Sequence, residues 1–299
     1  AYNLGRSTPP PAALDTAANH RDDLIPADRA LLDYQLAVFH GDPERGYQVA
    51  RDMARLSPTS GPFVIAGQAS LYVGRPREAL QWFERVDTNK GWVKGWAEYW
   101  IQAVTAAHMA GDDQEGLRLA RAARRAFPDQ DISYACMAIP LVGMGETAAA
   151  EAEMDSAASA QGQDWRRYDD GLNIAASELF THGDTAAARR MWRRQEEWYA
   201  KRPIDAKWPP EMRDLQARVL AQLGEPAKAE SIERALVAAN PDDATHLATL
   251  GIAAASAGDT RSARAISVRL ARAAAALSRN DAIKGGPIAL ARARLAAAL

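Results

Sequence analysis

Residues 61–86 read GPFVIAGQASLYVGRPREALQWFERV. An apolar stretch with helical spacing ends at Gly74, and a second opens at Pro76. Glycine is suited to the left-handed conformation that terminates a helix. Proline is tolerated at the first position of the next helix, where a missing N–H costs nothing. The stretch is therefore predicted to be two antiparallel helices joined by a tight turn at Gly74.

The same punctuation recurs along the chain. GDPERG starts at Gly41, GDDQEG at Gly111, GETAAA at Gly145, GDTAAA at Gly183, GEPAKA at Gly224 and GDTRSA at Gly258. With Gly74, the spacings are 33, 37, 34, 38, 41 and 34 residues. The Asp, Glu or Thr after most of these glycines can accept the orphan amides of the following helix. Five residues beyond each glycine stands a small residue: Gly46, Ala79, Gly116, Ala150, Ala188, Ala229 or Ala263. Small residues are needed where two helices of a hairpin approach closely. Pro58, Pro128 and Pro241, seventeen residues past their glycines, stop the second helix.

In these features the chain resembles the tetratricopeptide repeat family, built from two-helix units of about 34 residues. The resemblance covers residues 27–278 in seven units and implies an all-α, superhelical solenoid. RPIDAKWPP, from 202 to 210, interrupts the rhythm. Residues 1–26 read as a truncated or irregular first repeat, because AYNLG looks like a last helical turn and Pro9, Pro10 and Pro11 replace the usual helix entry. Residues 279–299 read as a C-terminal capping helix after the break at Gly285, Gly286 and Pro287. The chain is thus expected to be the repeat portion of a longer protein. The segments LIPADRALLDYQLAVFHGD and VDTNKGWVKGWAEYW also resemble repeat regions attached to bacterial serine/threonine kinases and transcriptional regulators.

Composition narrows the function classes. At 299 residues and 47% apolar, the chain can build a substantial core. Its 36 basic and 38 acidic residues give a formal charge of −2, unlike the basic excess of a nucleic-acid binder. Only six of the cations are lysine, a bias of GC-rich bacterial genes. Cys136 is the only cysteine, which excludes an intrachain disulfide and fits a reducing compartment. No apolar run approaches the roughly 20 residues of a membrane span. The expected setting is soluble, the cytoplasm ahead of the periplasm.

Residues 87–100, DTNKGWVKGWAEYW, place Trp92, Trp96, Tyr99 and Trp100 at i, i+4, i+7 and i+8 of a helix. Tyr99 and Trp100 are expected in the core. Trp92 and Trp96 lie at or before the helix start; each either caps the preceding pair near Trp82 and Phe83 or edges a pocket, and burial is the favoured reading. Trp192, Trp198, Tyr199 and Trp208 are read as a second structural cluster.

The chain shows no phosphate-binding glycine loop, nucleophile elbow or H-E-x-x-H motif. An enzyme is not expected, nor a cofactor. His40, His108 and His182 each precede a turn glycine, where a helix C-terminus favours a cationic imidazole. They stand in different repeats without metal-ligand spacing, so no metal site is expected. Asp169 and Asp170 read as helix-start carboxylates, and Cys136 as a buried apolar side chain.

The family resemblance implies a concave groove, lined by the first helix of each pair, that takes a peptide or protein segment. The corresponding positions are Gln35, Phe39, Gln68, Tyr72, Thr105, His108, Asn173, Ser177, Arg218 and Gln222. Apolar stretches at Ile139 and Val142 would add to this groove. The competing reading is that several of these residues only solvate a helix face. The family's chaperone-binding members clamp a terminal carboxylate with a Lys and Asn pair, which these positions lack. The function expected is a non-catalytic interaction scaffold with a protein partner. The alternative is a sensory repeat region of a larger signalling protein that binds a small molecule or peptide.

Overall fold

The computed structural model describes residues 11–39, 41–159, 165–201, 210–276 and 292–298. The predicted first turn around Gly5, the residues His40 and Trp208, the irregular connection at 202–209 and the break at Gly285 lie outside them. Among the described residues every regular element is helical. The sequence read as one array divides at Gly183 into two compact units, Ala1–Gly183 and Asp184–Leu299. Each has apolar clusters of its own.

In the first unit, α1 (Pro11–Asn19) and a 3-10 turn (Arg21–Asp23) precede the hairpin α2 (Pro26–Phe39) and α3 (Pro43–Leu56). Then follow α4 (Ser60–Tyr72) with α5 (Pro76–Phe83), and α6 (Glu98–Met109) with α7 (Asp113–Ala126). The unit ends with α8 (Asp131–Gly143), α9 (Thr147–Ser159) and α10 (Trp165–Thr181). The second unit holds α11 (Thr185–Ala200), α12 (Pro210–Gln222), α13 (Pro226–Ala239), α14 (Ala244–Ser256) and α15 (Thr260–Ala276). A last helix, α16, covers 292–298.

The hairpin turns follow from the glycines. All seven have positive φ, from 68° at Gly41 to 90° at Gly183. In six of them the residue after the glycine donates its backbone N–H to the carbonyl five positions earlier, as Asp112 does to Ala107 at 2.9 Å. That bond satisfies a carbonyl the helix would otherwise orphan. Asp42, Asp112 and Asp184 then cap the next helix by accepting backbone N–H bonds from Arg45, Glu115 and Ala187. A left-handed alanine costs about 1–2 kcal/mol. Gly74→Ala (φ 69°) is therefore expected to lose that amount in urea unfolding, with helicity retained.

The small crossing residues are all buried, Ala79, Ala150, Ala188, Ala229 and Ala263 completely so. The main cluster of the first unit runs from Tyr34 to Ile139. At its centre Phe83 meets Tyr99 edge-on at 5.8 Å, and the Tyr99 hydroxyl donates to the Phe83 carbonyl at 2.9 Å. Phe63 stacks on Trp82 at 6.1 Å, with the Arg85 guanidinium 4.1 Å from the Phe63 ring. Trp192, Trp198 and Tyr199 are buried in the second unit. There, Leu295 of α16 is fully buried against Leu247, Leu250 and Leu270.

The aromatic stretch turns before its helix begins, so that Trp92 and Trp96 precede the helix. Gly91 and Gly95 adopt φ of 61° and 90°, so 91–93 form a 3-10 turn and the helix begins only at Glu98. Trp92 therefore stays 57% exposed, against the favoured burial, and Trp96 is half-buried. Their rings lean together at 5.0 Å, and the Trp92 indole nitrogen lies 3.3 Å from where a Cβ on Gly61 would stand. Tyr99 is buried, and Trp100 packs half-buried on the core.

Candidate functional site

The predicted groove positions scatter over several environments. Gln68 is only 7% exposed, because α4 packs against α3, α5 and α6. It belongs to the core, and so do Ile139 and Val142. Arg218 pairs with Asp214 one turn away, which commits its guanidinium within α12. Gln35, Phe39, Thr105, His108 and Asn173 are half-buried, while Tyr72, Ser177 and Gln222 are exposed. The side chains of Asp169 and Asp170 lie outside the described residues.

Tyr72, 45% exposed, rims a pocket of about 340 Å³ closed by α2, the start of α3 and the end of α4. Tyr34, Val38, Gly46, Tyr47 and Ala69 form its walls. Among the described residues the lining is almost wholly apolar. The hydroxyl of Tyr34, a residue buried to 1%, has no hydrogen-bond partner among the described residues. Burial pushes this phenol well above its ordinary pKa. Tyr47, by contrast, donates to Glu78 at 2.7 Å, and Arg75 lies over its ring at 4.2 Å. Leu31 and Val38 on α2 are exposed, one helical face with Gln35 between them.

Two polar clusters escaped the sequence. In the first, α6 and α10 both pack against α8, which brings the C-terminal ends of α6 and α10 together. His108 Nε2 lies 3.0 Å from Glu178 Oε2 and 3.5 Å from His182 Nε2, across 70 and 74 residues of chain. His108 Nδ1 is 2.7 Å from Asp113 Oδ1 at the start of α7. Glu178, followed by Asp113, pushes the His108 pKa up to about 9 against the opposing effect of burial. The capping reading thus accounts for part of the role of His108, and His108 and His182, though in different repeats, lie side by side. Their shared signal was register: each precedes a turn glycine, at equivalent ends of first helices.

The second cluster joins α12, α13 and α14. His246 Nδ1 lies 3.7 Å from Asp214 Oδ1 and 3.6 Å from Glu233 Oε2. Thr249 donates its hydroxyl to Asp214 at 3.0 Å. Glu233 is fully buried, and neither of its oxygens has a hydrogen-bond partner among the described residues. Burial, then the neighbouring Asp214 carboxylate, pushes its pKa up to about 9. Burial works against ionised Asp214 too, yet His246 and Arg218 hold its pKa below the ordinary value. Cys136 is completely buried and its thiol is shifted upward by burial, as befits a core residue.

No family model and no curated protein matches this sequence. Among solved structures, yeast Tom70 is similar over 95% of this chain and 59% of its own, with a TM-score of 0.57 and 12% identity. The fold is tetratricopeptide-like. A tetratricopeptide repeat protein from Parabacteroides merdae aligns over 89% of this chain and 98% of its own, at 12% identity and a TM-score of 0.43. Cut9, in the APC/C hetero-tetramer Cut9–Hcn1, aligns over 89% and 48% at 14% identity and a TM-score of 0.41. This tetratricopeptide-like chain thus spans about half of Cut9 and three-fifths of Tom70. Among its described residues, no helix is long and apolar enough to cross a membrane.

Proposed function

We propose that the chain is a non-catalytic scaffold that captures a segment of another protein at the α2–α4 face. The pocket rimmed by Tyr72 carries this reading. It is large enough for a bulky apolar side chain. Leu31 and Val38 extend the apolar surface beyond the pocket, and the half-buried Gln35 offers an amide for a peptide backbone. Such a surface suits an amphipathic segment with one aromatic or branched anchor.

The test is selection of random displayed peptides on the full chain, followed by fluorescence anisotropy of the enriched sequences. Tyr72→Ala removes a side chain that is nearly half exposed and lies outside the core clusters. It is expected to weaken the selected peptides at least about tenfold, roughly 1.4 kcal/mol. Val38→Glu should do the same by placing a charge on the rim. Peptides that bind wild type and both variants equally would move the site elsewhere, and failure to enrich any peptide would remove the scaffold reading.

A further inference from the structure

The geometry points to a site for one divalent, zinc-like cation held by His108 Nε2, His182 Nε2 and Glu178 Oε2. It is independent of the Tyr72 pocket and would stand or fall without it.

Three observations converge. The first is donor spacing. Zinc bonds to imidazole and carboxylate of about 2.0–2.2 Å, at tetrahedral angles, separate the donor atoms by roughly 3.3 Å. The two distances from His108 Nε2, 3.0 Å to Glu178 and 3.5 Å to His182, bracket that value, and all three donors lie within 4.8 Å of one another. The second is orientation. A metal-ligating histidine usually donates its other ring N–H to a carboxylate, which fixes the ring and its tautomer. Asp113 Oδ1 accepts from His108 Nδ1 at 2.7 Å and leaves Nε2 for a cation. The third is the cradle. Gly143 ends α8, beside Asp113, and a Cβ there would stand 2.4 Å from Asp113 Oδ1. Only glycine lets the orienting carboxylate occupy its place.

Two imidazole nitrogens at 3.5 Å cannot both carry protons toward each other. Without a cation, one of them must accept. With a cation, the Nε2 proton of His108 leaves to solvent and its lone pair forms a metal bond. His182 is exposed, so a fourth coordination position opens to water or to an incoming donor. The N, N, O donor set suits zinc and its neighbours better than magnesium or calcium. The buried Asp214, Glu233 and His246 make a poorer site, because the Arg218 guanidinium already occupies Asp214.

The test uses the full, untagged chain stripped with chelator. Zn2+ is titrated calorimetrically, and Co2+ is added as a visible-absorption probe of tetrahedral coordination. Wild type should bind one ion per chain. His182→Ala, at an exposed position, and Glu178→Gln should each weaken binding at least tenfold and abolish the intense cobalt band. Asp113→Asn should keep the stoichiometry and weaken binding roughly 10–100-fold, as expected of a residue that positions a ligand. His20→Ala should change nothing. Absence of Zn2+ binding by wild type would overturn the assignment, and so would binding unchanged in His182→Ala with helicity intact.

Discussion

Phe83→Ala should destabilise the first unit by about 3–5 kcal/mol, the usual cost of removing a fully buried phenylalanine. The ring is 2% exposed. It fills the space left by Gly67, where a Cβ would come within 2.6 Å of Cε1. It also meets the Tyr99 ring edge-on at 5.8 Å. Neither the rigid backbone at Gly67 nor the Tyr99 side chain, anchored by its hydroxyl to the Phe83 carbonyl, can move into the void. The collapse that softens some large-to-small changes is therefore blocked. For a unit of this size the loss corresponds to a Tm lower by about 6–20 °C, read by circular dichroism. A loss below about 1 kcal/mol would mean that ring and glycine are not jointly packed.

The second large effect has the opposite sign. Glu233→Gln should stabilise the protein at pH 8 by on the order of 2 kcal/mol more than at pH 5. The folded-state pKa of Glu233 is pushed up to about 9 from the ordinary 4.5. The folded chain therefore keeps a proton that the unfolded chain releases between those values, and stability falls as pH rises through that window. Glutamine keeps the shape and a donor without the titration. The groups that act on this position are Asp214 and Arg218 from α12, Asp243 at the N-cap of α14 and His246 within it, with Thr249 donating to Asp214. All of them remain in the variant. His246, its pKa raised chiefly by Asp214, contributes stability below about pH 6.5 that fades at higher pH, and this part of the slope should persist. Chemical denaturation at both pH values checks the difference. An equal effect at pH 5 and pH 8 would show that Glu233 is ionised in the folded chain.

The hairpin glycines were legible because their chemistry is local: a turn needs positive φ at one residue, and sequence displays that residue directly. The crossing alanines were legible for the same reason, since close approach needs a small side chain at a fixed offset. Helix faces were harder to read. Gln68 looked like a groove residue because its register matched, but α4 is enclosed by three neighbouring helices and exposes little of its length. Trp92 was expected to be buried because large exposed aromatics are disfavoured, while Gly91 and Gly95 hold that segment in a corner that leaves its ring outside. Register before a turn glycine marked His108 and His182, but nothing local marked Glu178 or the Asp214–Glu233–His246 group. The members of both clusters meet only because stacking superimposes residues one or two repeats apart.

Every hairpin bond described here, from the residue after the glycine to the carbonyl five positions back, closes within six residues of chain. A turn built that way holds no information about which hairpin follows it. Duplication or deletion of a whole two-helix module would leave each remaining corner chemically intact. The number of modules is in that sense an adjustable parameter of this gene.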